Sequence, residues 1–141
     1  MATECWDCGD KAGFITLWPN DITRDKDFKR VSQEDLPGLD TYAYEVEFDL
    51  GDDAHEKRCA YLSMMAKNVA PDHHNRLYLN HRPLGELYSG HDWGFDTFCI
   101  DAGIVHPGVN TFKLTVTKNP GDLNEKNNVQ VRNPLLIYAV K

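Results

Sequence analysis

One segment of the chain alternates strictly between apolar and acidic side chains, and this pattern constrains the fold more than any other feature. From Tyr42 to Leu50 the even-numbered residues are apolar, while Glu45, Glu47 and Asp49 lie between them. Successive side chains of a β-strand point to opposite faces, so this strand needs one buried face and one solvated face. Antiparallel sheets commonly have such faces, one against the core and one in water.

Eight further segments have the short apolar or alternating patterns that are typical of strands. The nine predicted strands span residues 14–17, 42–50, 59–65, 77–79, 86–88, 95–100, 111–117, 129–131 and 135–140. Clusters of Gly, Pro, Asn and Asp separate them, as turns require. Helix signals are few, since the capping residues 32–35 are followed almost at once by Pro37. We therefore predict an all-β fold: a single antiparallel β-sandwich of jelly-roll type with about nine strands and little helix.

The length of 141 residues suits one domain, 1–141, in which residues 1–13 form a loosely ordered N-terminal segment. Each predicted strand contributes its apolar face to a core between the two sheets. The residues expected to be largely buried there are Tyr44, Val46, Phe48, Leu62, Leu79, Ile100, Leu114, Val116 and Ile137.

The composition excludes several classes of partner. The formal net charge is -7, and a domain of that sign repels the phosphate backbone of nucleic acids. No apolar run approaches the roughly 20 residues that span a bilayer, so no membrane association is expected. The first residues lack the cationic and apolar regions of a signal peptide. We expect a cytoplasmic protein if the chain is complete, with a secreted fragment as the alternative.

Two cysteines near the start of the chain, Cys5 and Cys8, have the spacing of half a zinc site or of a redox pair. The second half of a zinc ribbon is missing, because Cys59 and Cys99 are isolated in sequence. No strand–helix–strand unit follows that would suit a redox motif. An ordinary turn with two thiols is the favoured interpretation, and a metal completed by distant residues or a disulfide stays open.

Histidines and acidic clusters are the other candidate metal ligands. Adjacent strand residues point in opposite directions, so His73 and His74 are poorly placed to share a metal, and solvated loop histidines are favoured, with His81 among them. The acidic clusters at 21–27 and 49–53 would suit a structural calcium, but neither has the spacing of an EF-hand loop. We predict no cofactor and no metal-binding residue, with structural calcium as the alternative.

The middle of the chain resembles a known β-sandwich family. It contains Leu77-Tyr78-Leu79-Asn80, then Leu84-Gly85-Glu86-Leu87, then Phe98-Cys99-Ile100-Asp101, and then a Pro-Gly-x-Asn turn at 107–110. This succession is similar to the galactose-binding-domain-like superfamily, which includes many carbohydrate-binding modules. His81 stands where that family usually has glycine, which argues against a tight hairpin there. The resemblance implies a sandwich with a ligand site in the loops at one end, and it carries no catalytic residues.

The loop Tyr88–Phe95 is the richest candidate for that ligand site. Sugar recognition needs an aromatic plate for the apolar face of the ring and polar groups for its hydroxyls. Trp93 and Tyr88 would supply the plate, and His91, Asp92 and Arg76 the hydrogen bonds. For this loop by itself the favoured interpretation is that Trp93 packs inward as a lid on the core, with Asp92 holding the turn, and the ligand role is the alternative. Trp18 marks a second candidate rim, for which packing under the sandwich is favoured.

These features favour a non-catalytic, lectin-like domain that binds a carbohydrate or another small-molecule ligand. One alternative is a small isomerase or cyclase with an aromatic-lined pocket and His91 or Asp92 as acid or base. Another is a protein-interaction module in which one flat sheet face forms a homodimer. No nucleophile elbow, phosphate-binding glycine loop or metalloprotease helix is present in the sequence, so we predict no catalytic residue.

Overall fold

A computed structural model describes residues 6, 10–31, 38–70, 73–118 and 128–141. These residues form ten strands and one short helix. The elements are β1 (Lys11–Thr16), β2 (Ile22–Thr23), α1 (Arg24–Asp27), β3 (Lys29–Val31), β4 (Asp40–Leu50), β5 (Ala60–Lys67), β6 (Arg76–Leu79), β7 (Arg82–Glu86), β8 (Gly94–Ile100), β9 (Gly108–Lys118) and β10 (Gln130–Val140). The predicted all-β class is confirmed.

The strands form two antiparallel sheets. The first sheet has the order β1-β10-β5-β8, with β2 also paired to β10, and the second has the order β3-β4-β9-β6-β7. The longest pairing joins β4 to β9 in continuous register from Asp40–Lys118 to Leu50–Gly108. In the part of the chain that the structure describes, no helix has the length and apolar character needed to cross a membrane.

The core lies between the sheets and follows the alternation seen in the sequence. Phe48 and Leu50 are buried, whereas Glu45, Glu47 and Asp49 are exposed on the other face of β4. The predicted core residues that are buried are Phe48, Leu62, Leu79, Ile100, Leu114 and Val116, with Tyr44 and Val46 packed partly buried against them. Trp18 is also part of this core, with its ring centroid 5.4 Å from that of Phe112. The favoured interpretation of Trp18, that it packs under the sandwich, is confirmed.

Ile137 is a core prediction that the structure contradicts. Strand β10 advances from Arg132 to Leu135 while its partner β5 advances only from Met65 to Ser63, so β10 contains one extra residue. A β-bulge of this kind reverses which residues face the core. Leu136 is consequently buried in the core, and Ile137 is half-buried on the outer face. The alternation of apolar residues that begins at Val129 and Val131 gives no sign, in the sequence, that a bulge will exchange the buried and exposed faces of β10.

The outer face of the first sheet carries large exposed apolar side chains. Phe14 on β1 and Phe95 on β8 are 62% and 69% exposed. This is the kind of flat face that the homodimer hypothesis invokes, and the homodimer stays a prediction.

A few segments of the chain differ from their predicted structure or lie outside the described residues. Strand β1 already begins at Lys11, inside the segment expected to be loosely ordered. Within the first ten residues the structure describes only Trp6 and Asp10. The prediction for Cys5 and Cys8 therefore lies outside the described residues, as does the short capped turn at 32–35. Helix α1, at Arg24–Asp27, was not predicted.

A two-residue turn at Asn80 and His81 joins β6 to β7. Both residues have positive φ, 49° and 67°, which is the conformation that a type I′ hairpin requires. The turn is anchored by Asn80, whose Oδ1 accepts a hydrogen bond from the Thr111 N–H at 2.8 Å and whose Nδ2 donates to the Ile104 carbonyl at 2.7 Å. The tight hairpin thus forms although His81 stands at the glycine position.

We expect His81→Gly to stabilise the protein by about 0.5 kcal/mol. A non-glycine residue in the left-handed region costs roughly 1–2 kcal/mol, and glycine loses roughly 0.5–1 kcal/mol in chain entropy. Urea denaturation of the variant and of wild type measures the difference. His81→Ala is the matched control, since alanine removes the imidazole but keeps the backbone strain. Equal stabilisation by both substitutions would show that the backbone angle is not the cause.

Candidate functional site

A polar cavity of about 340 Å³ lies at one end of the sandwich. Its floor is a row of three side chains on neighbouring strands, because Gln130 of β10 pairs with Thr23 of β2 on one side and with Lys67 of β5 on the other. All three line the cavity. Three strands that are far apart in sequence therefore place a hydroxyl, an amide and an ammonium group side by side.

The walls of the cavity are held by hydrogen bonds between its own lining residues. The Asn68 side chain donates to the Asn128 carbonyl at 3.2 Å, and the Asn128 side-chain oxygen accepts from the Asp25 N–H at 3.2 Å. Lys26 completes the lining. The Asn128 side chain, which hydrogen-bonds the Asp25 carboxylate, holds the pKa of that group below its ordinary value, so Asp25 stays ionised at neutral pH.

The Thr23 hydroxyl also belongs to this lining. Its oxygen is buried, and its hydrogen bond to the Asp25 carboxylate further lowers the pKa of that group.

Trp93 lies beside the cavity, and two cations contact its ring. The Arg132 guanidinium carbon is 3.4 Å from the ring centroid, and the Lys67 ammonium, which also lines the cavity, is 5.0 Å from it. Asp21 holds the arginine in place, with its carboxylate 3.5 Å from Arg132 Nε. Trp93 is half-buried and is not part of the core cluster. Trp93 therefore does not cover the core. Its ring is not an open stacking surface either, because the Arg132 guanidinium stacks on it.

A buried carboxylate organises the loop that carries these aromatic residues. Asp96 is completely buried and accepts hydrogen bonds from the backbone N–H groups of Tyr88 and Ser89 at 3.1 and 3.0 Å. It also accepts one from the Ser89 hydroxyl at 2.6 Å. Our sequence analysis missed this residue, although Asp96 shares the apolar phase of β8 with Phe98 and Ile100, a signal that would have identified it.

Tyr88 is an exposed aromatic ring that is fixed at both ends. Its side chain is 66% exposed. Its backbone is bonded to Asp96, and its hydroxyl accepts a hydrogen bond from the Thr97 N–H at 3.2 Å. The ring consequently occupies part of the otherwise unpaired edge of β8, while contacting Phe98 edge-on at a centroid distance of 6.4 Å.

His91 and Asp92 form the exposed tip of the same loop. The loop backbone is tied to the cavity wall, because the Asn68 N–H donates to the His91 carbonyl at 3.2 Å and the Val69 N–H donates to the Gly90 carbonyl at 3.1 Å. The structure thus joins the predicted loop to the cavity through the residues that follow β5.

Arg76, the fifth predicted ligand residue, is placed differently from the other four. It begins β6 in the second sheet, where its Cα partners are Glu86 and Thr115. It lines a shallow cavity of about 200 Å³ on that sheet, and none of the other four predicted residues lines this cavity. Arg76 was predicted to act together with the loop, which follows it closely in sequence. The pairing of β6 with β9 instead places Arg76 in the second sheet.

The histidine predictions are partly wrong. His73 was expected to be solvated but is only 3% exposed, and its N–H donates to the Ala70 carbonyl at 3.0 Å. His74 is half-buried and His81 is exposed. Within the described residues, no three His, Cys, Asp or Glu side chains converge as a metal site requires. Structural calcium stays a prediction.

Comparisons with known proteins identify no family. No protein-family model matches the chain, and no curated protein matches it in sequence. Among solved structures, the chain is similar to a cycloisomaltooligosaccharide glucanotransferase from Paenibacillus sp., complexed with cycloisomaltoheptaose. The identity is 13%, the match covers 84% of this chain and 18% of that one, and the TM-score is 0.36.

A second similar structure is the GH26-CBM35 β-(1,4)-mannanase of Podospora anserina. The identity is 10%, the coverage is 92% of this chain and 28% of that one, and the TM-score is 0.39. The chain thus spans less than a third of either protein. Likeness of this degree does not assign a ligand to this chain, and membership of the galactose-binding-domain-like superfamily stays a prediction.

Proposed function

We propose that this domain binds carbohydrate, without catalysing its conversion, in the cavity at the loop end of the sandwich. The observation that carries the proposal is the lining of that cavity. Three side-chain amides, a hydroxyl, a carboxylate and two ammonium groups line about 340 Å³ beside Trp93; the amides belong to Asn68, Asn128 and Gln130. This volume is in the range of small-molecule sites, roughly 300–1,000 Å³.

The chemistry of the lining suits a sugar. Vicinal hydroxyls both donate and accept hydrogen bonds, and side-chain amides offer both capacities in one plane. The ionised Asp25 accepts strong hydrogen bonds from hydroxyls, and the Lys67 ammonium donates them. The exposed loop residues His91 and Asp92 and the fixed ring of Tyr88 extend the surface beyond the cavity. Arg76 is not assigned to this site.

The site is also organised before a ligand binds. Asn68 and Asn128 hold each other, Asp96 holds the aromatic loop, and Arg132 and Asp21 hold Trp93. Side chains that are already ordered lose little conformational entropy on binding, which favours affinity.

The enzyme alternative has less geometric support. His91 and Asp92, its acid–base candidates, are both exposed, and neither of them lines any of the four described cavities. An acid or base that works in an apolar pocket must line that pocket, within hydrogen-bond reach of the bound substrate.

We expect Lys67→Met and Trp93→Ala each to weaken glycan binding by about tenfold or more. The first substitution removes a charged donor but keeps the length of the side chain, and a hydrogen bond to a charged group is worth roughly 1.5–3 kcal/mol. The second removes the ring that positions the Lys67 ammonium. A glycan array would identify ligands of the wild-type protein, and isothermal titration calorimetry would measure the affinity of each variant.

Lys11→Met is the matched control, because Lys11 is exposed at the opposite end of the first sheet and pairs with Val140. Its affinity should equal that of wild type, and the melting temperatures of all three variants should stay close to the wild-type value. Failure of the wild-type protein to bind any glycan would refute the proposed function. Unchanged affinity in both cavity variants would refute the cavity as the site.

A further inference from the structure

Strand β1 leaves one edge of the first sheet open. It is the end strand of the order β1-β10-β5-β8, and within the part of the chain that the structure describes it pairs only with β10. The side chains of Ala12, Phe14 and Thr16 are exposed along it. An open edge presents unpaired backbone N–H and C=O groups, which are a template for pairing with another strand.

Hydrogen bonds near both ends of β1 show which backbone groups face this open edge. At one end, the Leu17 N–H donates to the Pro134 carbonyl of β10 at 3.0 Å. At the other end, Ala139 is the register partner of Ala12, and its carbonyl accepts from the His55 N–H at 2.8 Å on the far side of β10. The backbone groups of successive strand residues point to opposite sides. The N–H and C=O groups of the three exposed residues named above therefore face the open edge, and we call these three the outward residues.

The other edge strands carry features that hinder pairing with a further strand. On β8, the Tyr88 hydroxyl accepts a hydrogen bond from the Thr97 N–H. Strand β7 contains Pro83 and a register shift against β6, and β3 has only three residues, two of them cationic. Proline, irregular pairing, short length and charge all discourage edge pairing. Strand β1 has no proline, and its one charged residue, Lys11, lies at its end.

We propose that β1 pairs antiparallel with β1 of a second copy of this chain, with Phe14 opposite Phe14 at a twofold axis. In this register Ala12 opposes Thr16 of the second copy, and Thr16 opposes its Ala12. No other antiparallel register gives all three outward residues of each copy an outward residue as partner. Each of these pairs exchanges two backbone hydrogen bonds, so that the two first sheets become one continuous sheet.

The side chains on the outer face suit this register. Phe14 is 62% exposed, and it begins a cross-strand row that continues through Ile137 to Tyr61. A twofold axis perpendicular to the sheet places both Phe14 rings on this same face. Directly opposite residues of an antiparallel pair have their Cβ atoms about 4.5–5.5 Å apart, and aromatic pairs at that position are stabilising. The dimer thus covers an aromatic ring that the single copy leaves in water.

The inner face is complementary in the same register. Ile15, which packs partly buried against the core, lies opposite Gly13 of the second copy. A Cβ at Gly13 would be only 2.5 Å from the Tyr138 ring, so this ring already covers the backbone there. The absent side chain at Gly13 therefore leaves the Tyr138 ring as an apolar surface for Ile15 of the second copy.

The charges favour this edge as the place where two copies meet. Each copy has a formal net charge of -7, so most approaches of one copy to another are repulsive. Strand β1 contains no acidic residue, and the adjoining Asp10 is paired with Arg58 at 3.1 Å. In the proposed register Lys11 opposes Leu17 of the second copy, so the two Lys11 side chains lie at opposite ends of the contact.

The dimer should be weak, because the contact is small. Three outward residues on each copy cover less than the roughly 800 Å² per partner of a standard interface. We therefore expect a monomer–dimer equilibrium that depends on protein concentration. Sedimentation equilibrium of the full chain, without glycan, would measure it. In hydrogen exchange over the same concentrations, the amides of the outward residues should become protected as the dimer forms. The amides of Gly13 and Ile15, which face β10, should be protected at every concentration.

Phe14→Lys should raise the dimer dissociation constant by about tenfold or more, because it places two like charges opposite each other at the twofold axis. Phe14→Glu should do the same. An equimolar mixture of the two variants should associate more tightly than either variant alone, since opposite charges face each other only in the mixed dimer. Phe14 is 62% exposed, so neither substitution should disturb the fold of the single copy.

Phe95→Lys is the matched control, because Phe95 is a 69% exposed phenylalanine on β8, at the other edge of the same sheet. Its dissociation constant should equal that of wild type. A wild-type protein that is monomeric at every concentration would overturn the proposal. A dimer that Phe95→Lys weakens and Phe14→Lys does not would place the contact on the sheet face and overturn edge pairing. A mixture of the two Phe14 variants that associates no better than each alone would overturn the symmetric register.

Discussion

Replacing Phe112 by alanine should lower the free energy of unfolding by about 3–5 kcal/mol. Phe112 is completely buried on β9, and its ring lies against that of Trp18 at a centroid distance of 5.4 Å. Removing the ring forfeits its burial and leaves a cavity that the two surrounding sheets fill only in part. For a domain of this size the loss corresponds to a fall of roughly 10 °C in melting temperature. Calorimetry and urea denaturation would measure both quantities.

Val109→Ala on the same strand provides the control. Val109 is 54% exposed, so its truncation should change the stability by less than about 0.5 kcal/mol. If Phe112→Ala cost as little as this control, the side chain would not occupy the centre of the core, and the proposed packing of the two sheets would be wrong.

Asn110→Ala should be nearly as damaging, by about 3 kcal/mol or more, although it removes no apolar group. The Asn110 side chain is completely buried and makes four hydrogen bonds. It accepts from the Asn80 side chain at 2.8 Å and from the His106 N–H at 3.1 Å, and it donates to the carbonyls of His106 and Gly108. Each buried group left without a partner costs about 1–3 kcal/mol. Urea denaturation would measure the total loss.

Two further variants separate this network from a general effect of removing asparagine. Asn20 is exposed, so Asn20→Ala should be close to neutral. A double-mutant cycle with Asn80→Ala should give a coupling energy of at least about 0.5 kcal/mol, because the two side chains are bonded directly. Additive effects of the two substitutions would show that Asn80 and Asn110 do not act together.

The alternating strands could be predicted because their signal is local. In β4 and β9 each side chain is assigned to a face by its position alone, and the apolar faces meet in the core. The structural roles of Asn80 and Asn110 were also accessible, since asparagine is a preferred turn residue and often bonds its own backbone. Asn110 does so, but its bond to Asn80 across 30 residues is a tertiary feature.

The errors arose where a local pattern depends on a partner strand. Ile137 changed faces because β10 contains an extra residue relative to β5, and a bulge of that kind is defined only by the pairing. His73 was assigned to solvent by its polar surroundings in sequence, but it is buried in the folded protein. In both cases the deciding contact lies outside the window in which periodicity is measured.

The sequence by itself determined the all-β class and most of the core faces, because strand periodicity and turn chemistry are properties of neighbouring residues. It also drew attention to the loop of Tyr88, His91, Asp92 and Trp93. Only the tertiary structure decided what surrounds that loop. Lys67 and Gln130 are 63 positions apart and become neighbours through strand pairing, and Asn128 reaches Asn68 across 60 residues. A binding surface assembled from separate strands has no local signature, because its geometry is set by the register between strands and not by the order of residues within any one of them.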